Sequence, residues 1–237
     1  MSEPIDGNKI VIFSGAGVSA ESGLQTFRDS DGLWNNYAVS DVATPEGWQR
    51  DQQLVLNFYN ARRKQTFSAK PNKAHSAIAE LEKRFRVVVV TQNVDNLHEK
   101  AGSSEVIHVH GELTKARSTV DASLIYDIDD KDINLGDQCD KGSQLRPHIV
   151  WFGETPQFLD VASQHIKTAA KVLVVGISLA VYPAAGLVKK ARYHAEKILV
   201  SLDVEKKPYG FTWLRGTAVS SIPNIVDNWL NGHAATA

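Results

Sequence analysis

Polar residues that could carry out chemistry follow two apolar segments of the sequence. Gln92, Asn93 and Asp95 come directly after "RVVVV", and His108 and His110 lie in "EVIHVHGEL". Histidine titrates near neutral pH and is therefore the natural general base in an enzyme. Asn93 or Asp95 would serve equally well as a helix N-cap, and a single histidine is more often structural. The residue types thus allow either a base at His110 beside a polar pocket or a helix cap with a structural histidine.

A second candidate site is the glycine turn in "KIVIFSGAGVSA". The pattern Gly15-x-Gly17-x-x-Ala20 follows an apolar segment and opens a possible helix, where N–H groups can face an anion. A dehydrogenase-type fold would carry an acidic residue about 20 positions later, at the end of a second strand. Asp41 has that spacing, but "NNYAVSDVATPEGW" is not a strand pattern. The turn therefore predicts a phosphate site without ordinary dehydrogenase binding, and a plain glycine-rich turn is the alternative.

Two further stretches could contact a ligand. "TFRDSDGLW" places a Phe, an Arg and a Trp in a polar loop, which suits a lid over a ligand. In "NFYNARRK", Tyr59 and Arg62 are three residues apart and share one face of a predicted helix. A guanidinium can grip a carboxylate at two points while a phenol donates another hydrogen bond. The alternative for this pair is a solvated basic helix face.

The elements that must position these residues alternate along the chain. Apolar, β-branched runs at 9–15, 86–93, 171–178 and 197–203 predict strands buried on both faces. Helical patterns at 45–67, 72–85, 155–170 and 183–195 lie between them. This order predicts an α/β fold with a doubly wound, Rossmann-like parallel sheet, whose carboxyl edge binds the ligand. The acidic, irregular residues 114–145 do not fit the pattern and predict a small inserted module.

Composition limits the class of protein further. The 237 residues carry a formal net charge of −1, and no Lys/Arg run exceeds three residues. No signal-peptide pattern is present, and no apolar run approaches the roughly 20 residues that span a bilayer. We therefore expect a cytoplasmic monomer that binds neither nucleic acid nor membrane. Cys139 is the single cysteine, which excludes an internal disulfide and any site needing several thiolates.

Taken together, the motifs resemble those of the sirtuins, which are NAD-dependent protein-lysine deacylases. "GAGVSAESGLQTFRDSDGLW", "TQNVDNLHEKAG", "HVHGEL", "LRPHIVWFGE" and "VVGISLAVYPAAGL" occur in the family's order at compatible spacing. The resemblance implies one catalytic domain over 1–237, with a large Rossmann-like part at about 1–35, 72–113 and 146–237. The smaller part would come from about 36–71 and 114–145. It also implies NAD as co-substrate, acyl-lysine side chains of proteins as partners, and nicotinamide, O-acyl-ADP-ribose and free lysine as products.

The resemblance also assigns roles to individual residues. His110 would be the general base, and Asn93 would act with it at the nicotinamide ribose. "HIVWFGE" is similar to the substrate segment that pairs with the peptide by strand addition, so Val150, Trp151 and Phe152 would border the lysine tunnel. Ile177 replaces a common Thr, and the family often has Asn where Ser201 stands. The residues implied to contact NAD are Gly15, Ala16, Gly17, Ala20, Thr26, Phe27, Arg28, Trp34, Gln92, Asn93, Asp95, Gly176, Ser178 and Ser201.

The sequence departs from the family in the inserted module. Many sirtuins hold zinc there with two CxxC pairs, but here those positions fall at Ser118, Asp121 and about Gln138 and Lys141. One cysteine cannot supply a four-ligand thiolate site, so we expect no zinc. The module would then be held by its own packing. The residues predicted for its small apolar core are Leu124, Ile125, Tyr126, Ile128 and Ile133.

The acyl group is predicted from the helix pair. The spacing and setting of Tyr59 and Arg62 resemble the subgroup that removes succinyl and malonyl groups, so we expect acidic acyl-lysines, with acetyl-lysine also accepted. One alternative is a mono-ADP-ribosyltransferase that uses the same NAD site. Another is a non-catalytic reader, for which loss of His110 or Asn93 would be expected. Both residues are present.

Overall fold

A computed structural model describes residues 3–25, 33–34 and 37–236, with residues 33 and 34 described by their backbone. The lid predicted at Thr26, Phe27 and Arg28 lies outside the described residues, as does the side chain of Trp34. The bounds of the strands are β1 Asp6–Ser14, β2 Leu33–Trp34, β3 Tyr37–Ala38, β4 Arg86–Thr91, β5 Val106–His108, β6 Gly111–Ser118, β7 Ile125–Asp127, β8 Leu145–Ile149, β9 Ala169–Val175, β10 Glu196–Val200 and β11 Thr212–Leu214. The α-helices are α1 Val39–Val42, α2 Pro45–Arg50, α3 Gln52–Ser68, α4 Lys73–Glu80, α5 Leu97–Ala101, α6 Leu159–Thr168 and α7 Ala218–Leu230.

Within the described residues, six strands form a parallel sheet in the order β11-β10-β9-β1-β4-β5. The four predicted apolar segments are β1, β4, β9 and β10, so the α/β fold class and these strands are confirmed. Phe13 in the centre pairs with Val90 on one side and Val174 on the other. Because β1, β4 and β9 are neighbours, their carboxyl ends bring the 15–17, 92–95 and 176–178 segments to one edge.

Both faces of this sheet are buried, which explains why its strands are continuously apolar. Val11 and Phe13 point to the face covered by α6 and a 3-10 segment at Ala184–Lys190. Ile10 and Ile12 point to the opposite face, covered by α4 and α7. Side chains alternate between faces along a strand, so a strand covered on both sides needs an apolar residue at every position.

Three predicted helices differ from the structure in their extent or in their type. The pattern at 45–67 forms two helices, because the Asp51 carboxylate accepts from Leu54 N at 2.9 Å and caps a new helix there. The helix expected over 155–170 begins only at Leu159. The helix expected over 183–195 is the short 3-10 segment already described. Local polar capping and loop geometry overrode the longer apolar periodicity at these places.

The inserted module is an antiparallel sheet of β7, β6 and β8 among the described residues. It packs on α1–α3 through a third apolar cluster that includes Leu113, Ala116 and Ile133. The predicted five-residue core of the module is confirmed for Ile128 and Ile133 and wrong for the other three residues. Of that set, Ile133 is buried and Ile128 packs on the cluster, while Leu124 and Tyr126 are only partly buried and Ile125 is 44% exposed. The physical reason is that β7 is an edge strand on which the side chains of Ile125 and Asp127 are exposed.

The division of the domain into a larger and a smaller part, with the boundaries given above, stays a prediction. No helix in the described part of the chain is both long enough and apolar enough to cross a bilayer.

Candidate active site

A cavity of about 510 Å³ lies at the carboxyl ends of β1, β4, β9 and β10. Its wall also includes residues of α3 and the segment after β8. The residues that line it come from separate stretches of sequence, several of which the parallel sheet brings to one edge. The predicted site residues on its wall are Gly15, Ala16, Gly17, Ala20, Tyr59, Arg62, Gln92, Asn93, Asp95, His110, Val150, Trp151, Phe152, Gly176, Ser178 and Ser201.

The glycine turn meets the end of β9 at backbone distance. Gly17 N donates to Gly176 O at 3.0 Å, and Gly15 N donates to Val175 O at 3.1 Å. A Cβ on Gly17 would lie 2.7 Å from the Gly176 Cα, and one on Gly176 (φ +64°) would lie 2.3 Å from Val18 N. These positions therefore require glycine, because no side chain fits between the two loops.

This geometry corrects one expectation about the turn. The predicted helix start is a pair of 3-10 turns at Ala16–Val18 and Ala20–Ser22. The N–H groups of Gly15 and Gly17 are used within the protein, so these two amides do not face an anion. The glycines instead leave a wall of bare backbone along the cavity. A wall of this kind fits the close approach of a dinucleotide, and the polar groups opposite it suit a ribose.

His110 lies in the turn between β5 and β6, since β5 ends at His108. Its Nδ1 is 3.2 Å from the Gln92 carbonyl oxygen, which can only accept, so Nδ1 carries a proton. Nε2 of the neutral ring is therefore the atom with a free lone pair. Burial lowers the pKa of His110, and the hydrogen bond to Gln92 opposes this only in part. The imidazole is thus neutral at pH 7 and able to accept a proton at Nε2.

A buried polar network supports the residues after β4. Ser19 Oγ donates to Asp95 Oδ2 at 3.0 Å and accepts from Asn93 Nδ2 at 3.1 Å. Asn93 N donates to Thr91 Oγ1 at 3.0 Å. Burial raises the pKa of Asp95, although hydrogen bonds from Leu97 N and Ser19 oppose the shift. The network fixes the direction in which the Asn93 amide and the Asp95 carboxylate face.

Sequence reasoning missed Ser19 and two buried histidines of this network. His75 accepts from Asn72 N at Nδ1 and places Nε2 3.5 Å from Ser19 Oγ, and its ring stacks edge-on with His98. Burial lowers the pKa of His75 to about 4. Ser19 lies two residues after Gly17 in an already conspicuous motif. Its role was not visible because its partners are 56 to 76 residues away.

Tyr59 and Arg62 lie on one face of α3, and that face is buried. Tyr59 is fully buried and Arg62 is 6% exposed, so the solvated-face alternative is wrong. Trp151 Nε1 donates to the Tyr59 hydroxyl at 3.1 Å, and burial raises the pKa of Tyr59. Burial also lowers the pKa of Arg62 to about 10. Electrostatic attraction to Tyr59 and Asp95 opposes this shift only in part. The guanidinium is therefore still a cation at neutral pH.

A charged cluster that the sequence did not reveal orients Trp151. The Arg146 guanidinium carbon lies 3.2 Å from the centroid of the indole ring. Glu154 accepts from Arg146 Nη1 at 2.8 Å and from Arg117 Nη2 at 3.0 Å. Glu154 Oε2 also accepts from Trp151 N at 2.8 Å. Arg146 contacts the face of the indole, Glu154 binds the backbone N–H of Trp151, and Nε1 donates to Tyr59. These contacts fix the position of the Tyr59 hydroxyl.

The substrate segment after β8 uses its own N–H groups inside the protein. Val150 N donates to His110 O and Phe152 N to Ala43 O, each at 2.9 Å. Trp151 N is bound by Glu154, as described above. A peptide that adds here as a strand therefore depends on carbonyl groups of the segment. Phe152 is 45% exposed at the cavity mouth, whereas Trp151 is 2% exposed.

At the opposite end of the cavity, Ser178 and Ser201 follow β9 and β10. Ser201 Oγ donates to Asp203 O at 2.7 Å, and Ser201 O accepts from Trp213 Nε1 at 3.0 Å. Ser178 O accepts from Glu205 N at 3.2 Å. The Ser178 bond joins the loop after β9 to the loop after β10, and the Trp213 bond joins the loop after β10 to β11.

The residues at the family's zinc position do not fit a tetrathiolate site. Cys139 Sγ lies 3.2 Å from Ser118 Oγ and 3.1 Å from Ser143 Oγ. Lys141 Nζ forms an ion pair with Asp121 Oδ2 at 2.7 Å, which puts a fixed cation where a metal ligand would be needed. No cluster of three or more His, Cys, Asp or Glu side chains suited to a metal occurs among the described residues.

The parallel sheet with its small antiparallel module is the Sir2 fold. A family model described as "Sir2 family" matches residues 15–183. The chain is 52% identical over 221 residues to a Helicobacter pylori protein named NAD-dependent protein deacylase, a match that covers 92% of this chain and 95% of the relative. The chain therefore belongs to the Sir2 family, and it is an NAD-dependent protein deacylase.

Solved structures agree with this assignment. The chain is similar to a Sir2 homologue in complex with NAD, with a TM-score of 0.84, 38% identity, and coverage of 94% of this chain and 90% of that one. It is also similar to a mutant Sir2 homologue in complex with 2′-O-acetyl ADP ribose, with a TM-score of 0.83, 38% identity, and coverage of 94% and 92%. The predicted resemblance to the sirtuins is confirmed. None of these names states which acyl group this chain removes.

Proposed function

We propose that this deacylase removes succinyl and malonyl groups, and also acetyl groups, from lysine side chains of proteins. The observation that carries the proposal is the burial of the Arg62 guanidinium in the cavity wall beside Tyr59. A guanidinium can bind a carboxylate through two parallel hydrogen bonds. A succinyl or malonyl group brings a carboxylate to the cavity, whereas an acetyl group does not.

The setting of Arg62 supports a strong interaction with such a carboxylate. Its side chain is held between the Phe58 ring, whose centroid is 5.9 Å away, and the cavity. Attraction between opposite charges increases where water is excluded. Tyr59 supplies a hydroxyl that accepts from Trp151, and a phenol can also donate a hydrogen bond to a carboxylate oxygen. A guanidinium and a phenol on one helix face would thus bind both carboxylate oxygens.

The remaining residues divide the cavity between NAD and the peptide. NAD, when bound, supplies the nicotinamide leaving group and the ribose that accepts the acyl group. We assign the nicotinamide half to Gln92, Asn93 and Asp95, and the pyrophosphate to the bare turn containing Ala16 and Ala20. His110 accepts a proton at Nε2, and the peptide follows the segment after β8. The remaining members of the proposed NAD site are Gly15, Gly17, Thr26, Phe27, Arg28, Trp34, Gly176, Ser178 and Ser201.

Arg62→Met tests the acyl preference. Loss of a charged partner in a desolvated site should lower kcat/KM for a succinyl-lysine peptide by roughly 2 to 4 kcal/mol. An acetyl-lysine peptide should lose far less, because it offers no carboxylate. The measured quantity is the ratio of the two kcat/KM values, which cancels any damage to NAD binding or folding. Tyr59→Phe should shift the same ratio in the same direction by a smaller factor.

Lys64→Met is the matched control for the charge change. Lys64 lies on the same helix, but its side chain is 61% exposed and pairs with Asp132. Removing its charge should leave the succinyl-to-acetyl ratio unchanged. If Arg62→Met lowers both activities equally, or neither, Arg62 is a structural contact and the enzyme is a general deacylase.

A further inference from the structure

Another buried histidine, His108, lies beside the active site. His108 is 6% exposed and ends β5. Its Nδ1 lies 2.9 Å from the carbonyl oxygen of Asn93, and its Nε2 lies 2.7 Å from Oε1 of Glu99. The first contact reaches the backbone of the segment that lines the NAD cavity. The second reaches α5, on the side away from that cavity.

The two contacts fix the protonation state of the ring. A carbonyl oxygen can only accept, so Nδ1 must carry a proton. A neutral imidazole would then present the lone pair of Nε2 to the Glu99 carboxylate, and two acceptors would face each other at 2.7 Å. The other neutral tautomer would instead face the Asn93 carbonyl with a lone pair. The observed geometry therefore fits an imidazolium paired with a carboxylate, and a neutral ring would fit it only if Glu99 were protonated.

The charged and titratable groups around His108 favour this state. From α5, Glu99 faces the ring directly and His98 lies behind it; from β6, Glu112 faces it. The Lys115 charge on β6 is paired with Glu112 at 2.7 Å, and Asp95 lies on the segment after β4.

Burial alone would lower the pKa of His108, but its hydrogen bond to Glu99 and the charges of Glu99 and Glu112 outweigh burial and raise the pKa. For Glu99, burial alone would raise the pKa. The hydrogen bond to His108 outweighs burial, and the pKa of Glu99 is lowered. Both partners are therefore shifted toward the charged form.

Asn93 is held on three sides. Its side-chain amide donates to Ser19, its N–H donates to Thr91, and its carbonyl accepts from His108. We propose that the His108–Glu99 ion pair is a positioning device that orients the Asn93 backbone for NAD only while both ring nitrogens are protonated. The inference rests on the proposed contact of Asn93 with NAD, and it is independent of the acyl preference.

A pH profile of kcat/KM for NAD tests the role of the pair, with an acetyl-lysine peptide as second substrate from about pH 6 to about pH 10. The pair is intact below the raised pKa of His108 and is lost as pH rises through it. Glu99→Gln removes the charge that retains the proton. The alkaline limb should therefore move to lower pH by roughly one unit or more. KM for NAD should rise more than kcat falls.

Glu105→Gln is the matched control. The Glu105 and Glu99 side chains are each 38% exposed, and Glu105 also faces a histidine, with 3.7 Å to His165 Nε2. This substitution should leave the profile unchanged. An alkaline limb in Glu99→Gln identical to that of the unsubstituted enzyme, or a fall in activity that is equal at all pH values, overturns the positioning role.

Two further measurements keep the test decisive if Glu99→Gln folds poorly. Nitrogen NMR of the unsubstituted enzyme should show His108 with both ring nitrogens protonated at neutral pH, and a neutral ring there overturns the proposal. Asn93→Ala separates this inference from its premise. If that variant binds NAD normally, the proposed NAD contact fails. If it binds NAD poorly while Glu99→Gln keeps the normal profile, only the role of the ion pair fails.

Discussion

The imidazole of His110 has one defined direction in which it can take a proton. Nδ1 is committed to the Gln92 carbonyl, so Nε2 is the atom that can accept, and His110 is part of the cavity wall. This arrangement separates binding from catalysis, because the side chain is not required to hold the turn at Gly15–Gly17 or the loops after β9 and β10. The proposed base should therefore be removable without loss of the nucleotide site.

His110→Ala should abolish acyl removal and leave NAD affinity largely intact, since a base acts after the cofactor is seated. Calorimetry with NAD, run beside a turnover assay, checks both halves of this expectation. In the unsubstituted enzyme, the acidic limb of the rate profile should lie below the ordinary histidine pKa, because burial lowers the pKa of His110. Full activity in His110→Ala would remove the base assignment.

At the same scale, the sequence could identify residues at strand ends but not the partners that orient them. His110, Asn93 and Asp95 follow apolar strands whose carboxyl ends must meet. Ser19 and His75 act through contacts across 56 residues, and no local pattern encodes those. Tyr59 and Arg62 were predicted to share a helix face. Whether that face was buried depended on the packing of α3 against Trp151, which is distant in sequence.

At the scale of elements, the inserted module is closed by a hydrogen-bonded cluster at the position where the resemblance to the sirtuins implies two CxxC pairs. Ser118 Oγ accepts from Val120 N and Asp121 N, each at 3.1 Å, and also contacts Cys139. The turn at 118–121 is thus held by a hydroxyl. The segment 114–145, which the sequence predicts as a module, runs from within β6 to the start of β8. The sequence did not predict all of the module's apolar contacts, because β7 carries exposed side chains and Ile133 packs on α3.

The module should be stable without zinc. Elemental analysis of purified enzyme should find no stoichiometric zinc, and a chelator should leave both Tm and activity unchanged. Ser118→Ala should lower stability by about 1 kcal/mol, since it removes the acceptor of two partly buried N–H groups. Cys139→Ser keeps a hydroxyl at the neighbouring position and should cost less. Tightly bound stoichiometric zinc would contradict this description of the module.

At the scale of the whole molecule, two buried histidines, His75 on α4 and His98 on α5, contact each other. Burial lowers the pKa of His75 to about 4 and holds the pKa of His98 well below its ordinary value. The unfolded chain binds protons at the ordinary histidine pKa, so between the two values it takes up protons that the folded state does not. Stability should therefore fall as the pH drops below the ordinary value.

Chemical denaturation at a series of pH values checks this acid sensitivity. For His75 alone, the loss should be on the order of 3 kcal/mol when the pH reaches its folded-state pKa. His75→Asn should flatten the curve between neutral and acidic pH. His194→Asn, at an exposed position, should not change its slope. Parallel curves for all three proteins would show that the buried histidines do not govern acid unfolding.

We propose that the enzyme uses NAD bound in this cavity to remove acidic acyl groups. The most direct test of this proposal is mass spectrometry of acetyl-, malonyl- and succinyl-lysine peptides incubated with the enzyme, with and without NAD. We expect malonyl and succinyl peptides to lose their acyl groups only with NAD. Nicotinamide and the matching O-acyl-ADP-ribose should form in equal amounts. Removal of acetyl groups alone would contradict the acyl preference. Peptides that instead gain ADP-ribose would contradict deacylation itself.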